Sequence, residues 1–442
     1  MAGPATYCVV TFGCRVNQAD SHRIEEQLIG CGAEAVPAER ADFVIVNTCS
    51  VTATADQGAR QTIRRIARTN PSARIIATGC YASRAAAELG DLPGVVRVVA
   101  NPDKDRLVAL LAGECGLTTA TRFGDGDGSC GAAIGPGMAG RTAYTLRVQT
   151  GCEEQCAYCI IPRTRGHSRS RPMMEVLAEV ARAAAAGFRE VALTGVHLGA
   201  WGRDLDPPAS LGTLLRGLVE GPWAVRFRVS SLEPMDCPAE LVDLAGADGR
   251  LAPHFHLPLQ HASDEVLRAM RRPYSLRDYD RLVSAIRARL PHASIGSDVI
   301  VGFPGERACD VDTLLAYLAG SPLTHVHVFP YSDRPGTVAS GLSDKVAPVE
   351  IRDRAAAVRE AGRRLTEAFH HAQIGSVRPG LTLEDGTLVV TDNYLKVRIA
   401  SGRGRNEPVS VRLRMNGDAL EGEVVAEGAG DLLHQRGAAL PG

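Results

Sequence analysis

The 442-residue sequence predicts an α/β protein in three parts: an open parallel α/β sheet, a central partial (β/α)6 barrel and a small all-β barrel. Three observations predict it. Short Val- and Ile-rich runs alternate with helical patterns over residues 6–100 and again from about 142 to 345, the pattern of parallel strands joined by helices. A Gly-rich stretch without periodicity, FGDGDGSCGAAIGPGMAGR (123–141), separates the two regions as a linker. Beyond a charged, Ala-rich helix (350–373) only short strands follow. The expected divisions are 1–122, 123–141, 142–374 and 375–442.

In the first part TYCVVTF (6–12), FVIVNT (43–48), RIIATG (74–79) and VVRVVA (95–100) read as strands. SHRIEEQLIGCG (21–32) reads as a helix opened by a Ser cap and closed by Gly. Cys14 follows the first strand, Cys49 ends the second and Cys80 ends the third. Open sheets bind ligands beyond the carboxyl ends of their strands, so three thiols from distant positions meet at one edge as a ligand cluster. The helix Ala59–Arg68 carries Arg60, Arg64, Arg65 and Arg68 around Ile63 and Ile66, which reads first as a surface helix.

The second part has six candidate strands: YTLRVQT (144–150), EVALTG (190–195), VRFRVSS (225–231), PHFHLPL (253–259), SIGSDVIVG (294–302) and THVHVFPY (324–331). MEVLAEVARAAAAG (174–187) and SLRDYDRLVSAIRARL (275–290) are helical between them. Barrels of this kind place chemistry at the carboxyl ends of the strands. GCEEQCAYCIIP (151–162) stands just after the first strand and brings Cys152, Cys156 and Cys159 together with no fourth ligand nearby. A closed structural zinc site wants four ligands. Three thiolates in a C-x3-C-x2-C loop instead hold three irons of a 4Fe–4S cluster and leave the fourth iron open to a small molecule. In the third part TLVVTDNYLKVRIA (387–400) reads as two strands about Thr391-Asp392-Asn393, and VSVRLRM (409–415) and LEGEVVA (420–426) as two more. A small barrel of that kind suits RNA binding or a stabilising cap.

Composition adds exclusions. The net charge of −1 gives no global field for nucleic acid. Lys104, Lys345 and Lys396 are the only lysines, a bias of composition that leaves arginine to make bidentate anion contacts. No signal peptide and no run of about 18 apolar residues is evident, so the expectation is a cytoplasmic protein without membrane contact, its thiols reduced. Of the 12 cysteines, Cys8, Cys31, Cys115, Cys130, Cys237 and Cys309 carry no pattern and read as small apolar side chains.

GCEEQCAYCIIP resembles the radical S-adenosylmethionine (SAM) signature. With TFGCRVNQADS (11–21), NTCSVTATAD (47–56) and TGCYA (78–82), nearly the whole chain resembles the tRNA methylthiotransferases. These have an N-terminal methylthiotransferase domain, a radical SAM barrel and a C-terminal, OB-like TRAM domain. CRVNQ, CIIPRTRGHSRSRP, LTGVHLGAWG and HVFPYSDRPGT most resemble the branch acting on N6-threonylcarbamoyladenosine. The neighbouring branches act on isopentenyladenosine in tRNA and on an aspartate of a ribosomal protein. A non-catalytic RNA-binding iron–sulfur protein is the reading from another class, and six intact ligand cysteines speak against it.

The resemblance implies two 4Fe–4S clusters, on Cys152, Cys156 and Cys159 and on Cys14, Cys49 and Cys80, with SAM on the first and the incoming sulfur on the second. It implies SAM contacts by Tyr158, Thr194, Gly195, Arg228, Ser230, Glu233 and Gln260. Asp298 and GFPGE (302–306) follow the fifth strand, and His261-Ala262 replaces an expected Ser-Gly. Arg163 and Arg165, then Arg15, are the expected partners of a substrate carboxylate. Tyr394, Lys396, Arg398, Arg403 and Arg405 are the expected tRNA contacts. Partners are tRNA, an electron donor and a sulfur donor. No single side chain is assigned as the catalytic acid or base.

Overall fold

A computed structural model describes residues 4–112, 135–137, 140–400, 402–417 and 419–425. Most of the 123–141 linker, with Cys115 and Cys130, lies outside them. Contacts divide the chain into two compact units: Met1–Ile134 with Gln149–Arg169 and Ser332–Ser340, and Gly135–Val148 with Ser170–Tyr331 and Gly341–Gly442. The Cys152–Cys159 loop therefore belongs to the same unit as Cys14, Cys49 and Cys80.

The first unit is built on β1 (Thr6–Thr11), α1 (Arg15–Gly30), β2 (Glu34–Ala35), β3 (Phe43–Thr48), α2 (Ala53–Thr69), β4 (Arg74–Gly79), α3 (Cys80–Arg84), α4 (Ala86–Gly90), β5 (Val95–Val99) and α5 (Leu107–Ala112). The strands are all parallel in the order β2-β1-β3-β4-β5. Alternation sends successive side chains to opposite faces. Ile45 and Ile76 pack with Ile24 and Leu28 of α1 and Leu107 and Leu111 of α5. Val44, Val46 and Ile75 pack on the other face with Ile63 and Ile66 of α2. Both faces are covered, as a parallel sheet requires.

The Ser cap is corrected. α1 starts at Arg15, with Cys14 at its N-cap and no side-chain cap bond. Ser21 lies one and a half turns inside it and is buried. Its hydroxyl accepts hydrogen bonds from Thr11 Oγ1 at 2.7 Å and Asn47 Nδ2 at 2.9 Å. Tertiary bonds to two strands take the place of the local cap.

In the second unit six parallel strands run in chain order, β6 (Tyr144–Arg147), β9 (Glu190–Thr194) and β10 (Arg226–Val229), then β11 (His254–His256), β12 (Ser294–Val301) and β13 (His325–Pro330). The bridges Phe227/Leu251 and Ser231/His256 join the two halves. Short β7 (Gln149–Thr150) and β8 (Arg169–Ser170) bracket the cysteine loop and α6 (Ile161–Arg165) in sequence. The connecting helices are α7 (Met173–Ala185), α8 (Leu211–Glu220), α9 (Ala239–Ala247), α10 (Asp264–Ala269), α11 (Leu276–Arg289) and α12 (Ala308–Gly320), and α13 (Pro348–Gln373) follows the last strand. Ser275 opens α11 with a reciprocal capping box to Asp278, which satisfies two otherwise orphaned donors.

The third part is a closed barrel of β14 (Val377–Leu383), β15 (Leu388–Thr391), β16 (Lys396–Ile399), β17 (Pro408–Asn416) and β18 (Ala419–Val424), ordered β14-β15-β16-β18-β17. Val389, Val397, Val411 and Leu413 fill it and Phe369 of α13 closes one end. Its Thr391–Leu395 turn docks at the amino ends of the β10, β11 and β12 strands. Asn393 Nδ2 donates to His292 O at 2.9 Å and to Gln373 Oε1 at 3.1 Å. The Tyr394 ring meets His254 edge-on at 4.4 Å, and the Arg228 guanidinium lies 4.9 Å from its centre. Tyr394 is thus withdrawn from the expected tRNA contacts, because its face is already occupied.

Candidate metal centre and cofactor site

The Cys14, Cys49 and Cys80 loops leave the carboxyl ends of β1, β3 and β4 side by side. Two glycines let them close. At Gly13 (φ +90°) an added Cβ would stand 2.5 Å from Cys49 Sγ, and at Gly79 (φ +100°) 2.2 Å from Thr48 O. No other residue tolerates both the left-handed backbone and that proximity. Cys49 and Cys80 are buried and Cys14 is exposed. Amide donors reach the sulfurs, Val51 N to Cys49 at 3.5 Å and Asn101 Nδ2 to Cys80 at 3.6 Å. Burial, and after it the Cys14 and Cys80 thiols and Asp56, pushes the Cys49 thiol up to about 12 against the bond from Val51. Cys80 is shifted the other way: burial would raise it, but Arg165 and Lys104 hold it below the ordinary thiol range.

Those two cations belong to a buried network. Arg165 Nη2 donates to Asn17 Oδ1 at 2.5 Å and to Asp20 Oδ2 at 3.1 Å. Lys104 Nζ reaches the same Asp20 oxygen at 2.9 Å and Asn47 Oδ1 at 3.1 Å. Two cations on one carboxylate leave a net positive floor beneath the thiols. A second cationic group lies beside it, where Arg84 and Arg334 share Asp56 Oδ2 at 2.8 and 2.6 Å. Arg334 is buried, and its Nε and Nη2 have no hydrogen-bond partner among the described residues. Convergent thiols, amide donors on sulfur, surplus buried cations and orphaned N–H groups together fit an anionic thiolate–iron–sulfur group.

The loop with Cys152, Cys156 and Cys159 is set by other means. Gly151 (φ +75°) lies where a Cβ would be 1.8 Å from His167 O. Cys152 N donates to Gly166 O and Cys159 N to Cys156 O, both at 3.1 Å, and Glu154 N to Cys152 Sγ at 3.4 Å. All three thiols are half-buried, with buried Ala157 accepting a bond from Ala339 N at 2.8 Å. α6 follows at once and packs against α3, the helix that begins with Cys80. It turns Arg165 inward and leaves Arg163 exposed. Arg165, committed to Asp20 and Asn17, is unavailable to a substrate carboxylate and is corrected to a support of the thiol site. Arg163 remains free to serve.

Among the expected SAM contacts, Thr194 and Ser230 end neighbouring strands and share a hydrogen bond at 3.3 Å, both buried, with Gly195 beside them half-buried. Glu233 is held by Arg272. Gln260 adopts φ +65°, an uncommon backbone for a non-glycine residue that marks a constrained site. The His261 that replaces the expected Ser is fully buried, 3.4 Å from Glu306 Oε2 in the GFPGE loop, and its Nδ1 accepts from Ser263 N at 2.9 Å. Arg228 is corrected. Its guanidinium pairs with Glu190 through two bonds at 3.1 and 2.9 Å and donates to Asp392 O at 2.9 Å. It is 1% exposed and ties the small barrel to Glu190 at the amino end of β9. Arg228→Ala is expected to cost about 3–5 kcal/mol, as for a buried pair deprived of one partner, and to leave SAM affinity unchanged. Urea unfolding beside equilibrium SAM binding checks both.

Three half-buried thiols after the first strand of a six-stranded parallel partial barrel define a radical SAM enzyme. Residues 146–318 match the radical SAM superfamily and residues 6–101 the uncharacterized protein family UPF0004. The chain is 34% identical over 401 residues to the threonylcarbamoyladenosine tRNA methylthiotransferase MtaB of Aquifex aeolicus, covering 88% of this chain and 95% of that one. To the protein of the same name from Thermotoga maritima it is 32% identical, over 96% and 100% of the two chains. Identity to the ribosomal protein uS12 methylthiotransferase RimO of Salinispora arenicola is 35%, over 78% and 77%. A radical SAM methyltransferase, TsrM, from Kitasatospora setae shares the fold with a TM-score of 0.53 at 16% identity, over 76% and 74%. The chain belongs to the MtaB-like methylthiotransferase family. It uses SAM and a 4Fe–4S cluster.

Proposed function

We propose that this enzyme methylthiolates carbon 2 of N6-threonylcarbamoyladenosine beside the anticodon of tRNA (position 37), giving 2-methylthio-N6-threonylcarbamoyladenosine. The observation that carries it is the pair of thiol triads in one compact unit, in a chain that matches MtaB proteins over almost their full length. Cys152, Cys156 and Cys159 would hold one 4Fe–4S cluster and Cys14, Cys49 and Cys80 a second. When bound, these groups supply the electron that opens the sulfonium of SAM and the site that carries the incoming sulfur. The protein's own residues bind and orient. Thr194, Gly195, Ser230, Glu233 and Gln260 serve SAM from strand ends, Tyr158 from the cysteine loop. Arg165 and Lys104 stabilise the thiolates at Cys80, and burial of Cys49 and Cys80 keeps water from them. Exposed Arg163 is the first candidate for the substrate carboxylate, followed by Arg15. An electron donor and a sulfur donor complete the reaction. Among the described residues no helix is long and apolar enough to cross a membrane, and a tRNA substrate supports work in the cytoplasm.

The test is mass spectrometry of tRNA nucleosides from cells lacking this gene. The methylthio product should vanish, with threonylcarbamoyladenosine accumulating, and should return on complementation. An unchanged product level would end the proposal.

The C-terminal barrel is proposed to supply tRNA affinity through exposed Lys396, Arg398 and Arg403. Its dock on Arg228 and His292 makes truncation destructive of the barrel foot, so surface substitution is the better probe. The triple change to Glu should weaken tRNA binding and flatten its salt dependence, since fewer phosphates are neutralised, while uncoupled SAM cleavage persists. Filter binding across a salt series reads this. Unchanged affinity would assign the barrel to stability alone.

A further inference from the structure

β13 packs Val326 against Gly362 of α13, where a Cβ on the glycine would come 2.6 Å from Val326 Cγ2. Alternation therefore turns His325 and His327 to the opposite face. Asp298, expected to follow the fifth strand, lies inside β12, and registers Asp298/His327, Gly296/His325 and His256/Gly296 bring residues of three adjacent strands together there. His256 Nε2 lies 2.9 Å and His327 Nδ1 3.2 Å from the same oxygen, Asp298 Oδ1. One ligand atom from each residue lies within 4.8 Å of the others. Asp298 Oδ2 has no protein partner among the described residues. Side-chain exposures of 13%, 26% and 59% for His256, Asp298 and His327 open the group to solvent. Gly296 beneath it has no Cβ; one would stand 2.2 Å from His325 Nε2 and 3.0 Å from His256 Nδ1, so the imidazoles crowd in over bare backbone. Nothing in the methylthiolation described above uses this cluster.

We propose that His256, Asp298 and His327 form a site for a divalent first-row transition ion, zinc best of all, separate from both thiol triads. Two imidazoles and one carboxylate are a borderline donor set, suited to zinc or ferrous iron and poor for magnesium or calcium, which prefer all-oxygen shells. Ligands about 2.0–2.1 Å from a tetrahedral ion stand about 3.3 Å apart, close to the N···O separations found here. Three protein ligands leave one position for water or an anionic group, the arrangement of an open zinc site.

The test uses cluster-loaded protein, stripped of loose metal by a chelator and offered zinc sulfate. Zinc and iron are counted by mass spectrometry and the zinc shell is read by X-ray absorption. One zinc per chain should survive desalting, with nitrogen and oxygen neighbours and the iron content unchanged. His327→Ala and Asp298→Asn should each lose the zinc while keeping iron and circular dichroism. Wild-type protein retaining no zinc, a sulfur shell marking occupation of the cysteines, or zinc kept by both variants would overturn the site.

Discussion

Replacing Cys14, Cys49 and Cys80 together by Ala should abolish thiolation while reductive cleavage of SAM continues. Anaerobically reconstituted wild-type protein should hold about eight irons and the triple variant about four, by the four-iron stoichiometry of each cluster. The separation follows from how each triad is made. Cys14, Cys49 and Cys80 depend on three strand ends and on Gly13 and Gly79, whereas Cys152, Cys156 and Cys159 depend on Gly151, on bonds within residues 149–169 and on the bond from Ala339 N to Ala157 O. Alanine at the first three positions leaves Arg165 bonded to Asp20 and Asn17, so α6 and the loop before it keep their support. Iron analysis, electron paramagnetic resonance and 5′-deoxyadenosine release under dithionite read the outcome. Loss of deoxyadenosine formation from a variant that keeps about four irons would show that the triads do not divide the work.

The second large effect is expected at Arg165. Arg165→Met takes the Arg165 donor from Asn17 Oδ1 and one cation from Asp20, while Lys104 stays in place. Breaking a buried pair by removing one partner costs about 3–5 kcal/mol, and the surviving lysine holds the loss to the lower end of that range. The thiolate at Cys80 also loses Arg165, the stronger of the two cations that hold it down. Urea unfolding should therefore show lower stability, and reconstitution should return iron for the Cys152 triad but little for the other. Arg163→Ala, two residues away and exposed, should change neither. If Arg165→Met kept full iron and stability, the buried network would not be what supports the thiol site.

The placement of Cys14, Cys49 and Cys80 at one sheet edge was legible because parallel α/β sheets bring strand-end loops together, whatever lies between them in sequence. Phase within RTRGHSRSR was not. Only the five-residue α6 decides that Arg165 turns inward and Arg163 outward. Arg228 and Tyr394 were misread for a related reason: their partners are distant in sequence, with Arg228 bonded 164 residues away at Asp392, and no local pattern announces such a contact. β14 escaped as a named strand because Pro379 and Gly380 break its propensity, although barrel closure on β15 and β17 overrides both. Ser21 looked like a cap because a Ser before an apolar run normally is one. The His261 departure has a physical answer in Glu306, 45 residues further on, which only the folded chain brings near.

The branch of the family rests on how the substrate side chain is read. Threonylcarbamoyl ends in a carboxylate and isopentenyl is apolar, and a site that pairs a substrate carboxylate with arginine rejects an analogue that leaves the arginine unpaired. The direct measurement is side-by-side turnover of three otherwise identical tRNAs, with N6-threonylcarbamoyladenosine, isopentenyladenosine or unmodified adenosine at position 37. The threonylcarbamoyl tRNA should be thiolated fastest by a wide margin, and Arg163→Ala should narrow it while iron content holds. Faster thiolation of the isopentenyl tRNA would move the enzyme to the neighbouring branch, and equal rates on all three would contradict recognition of the side chain altogether.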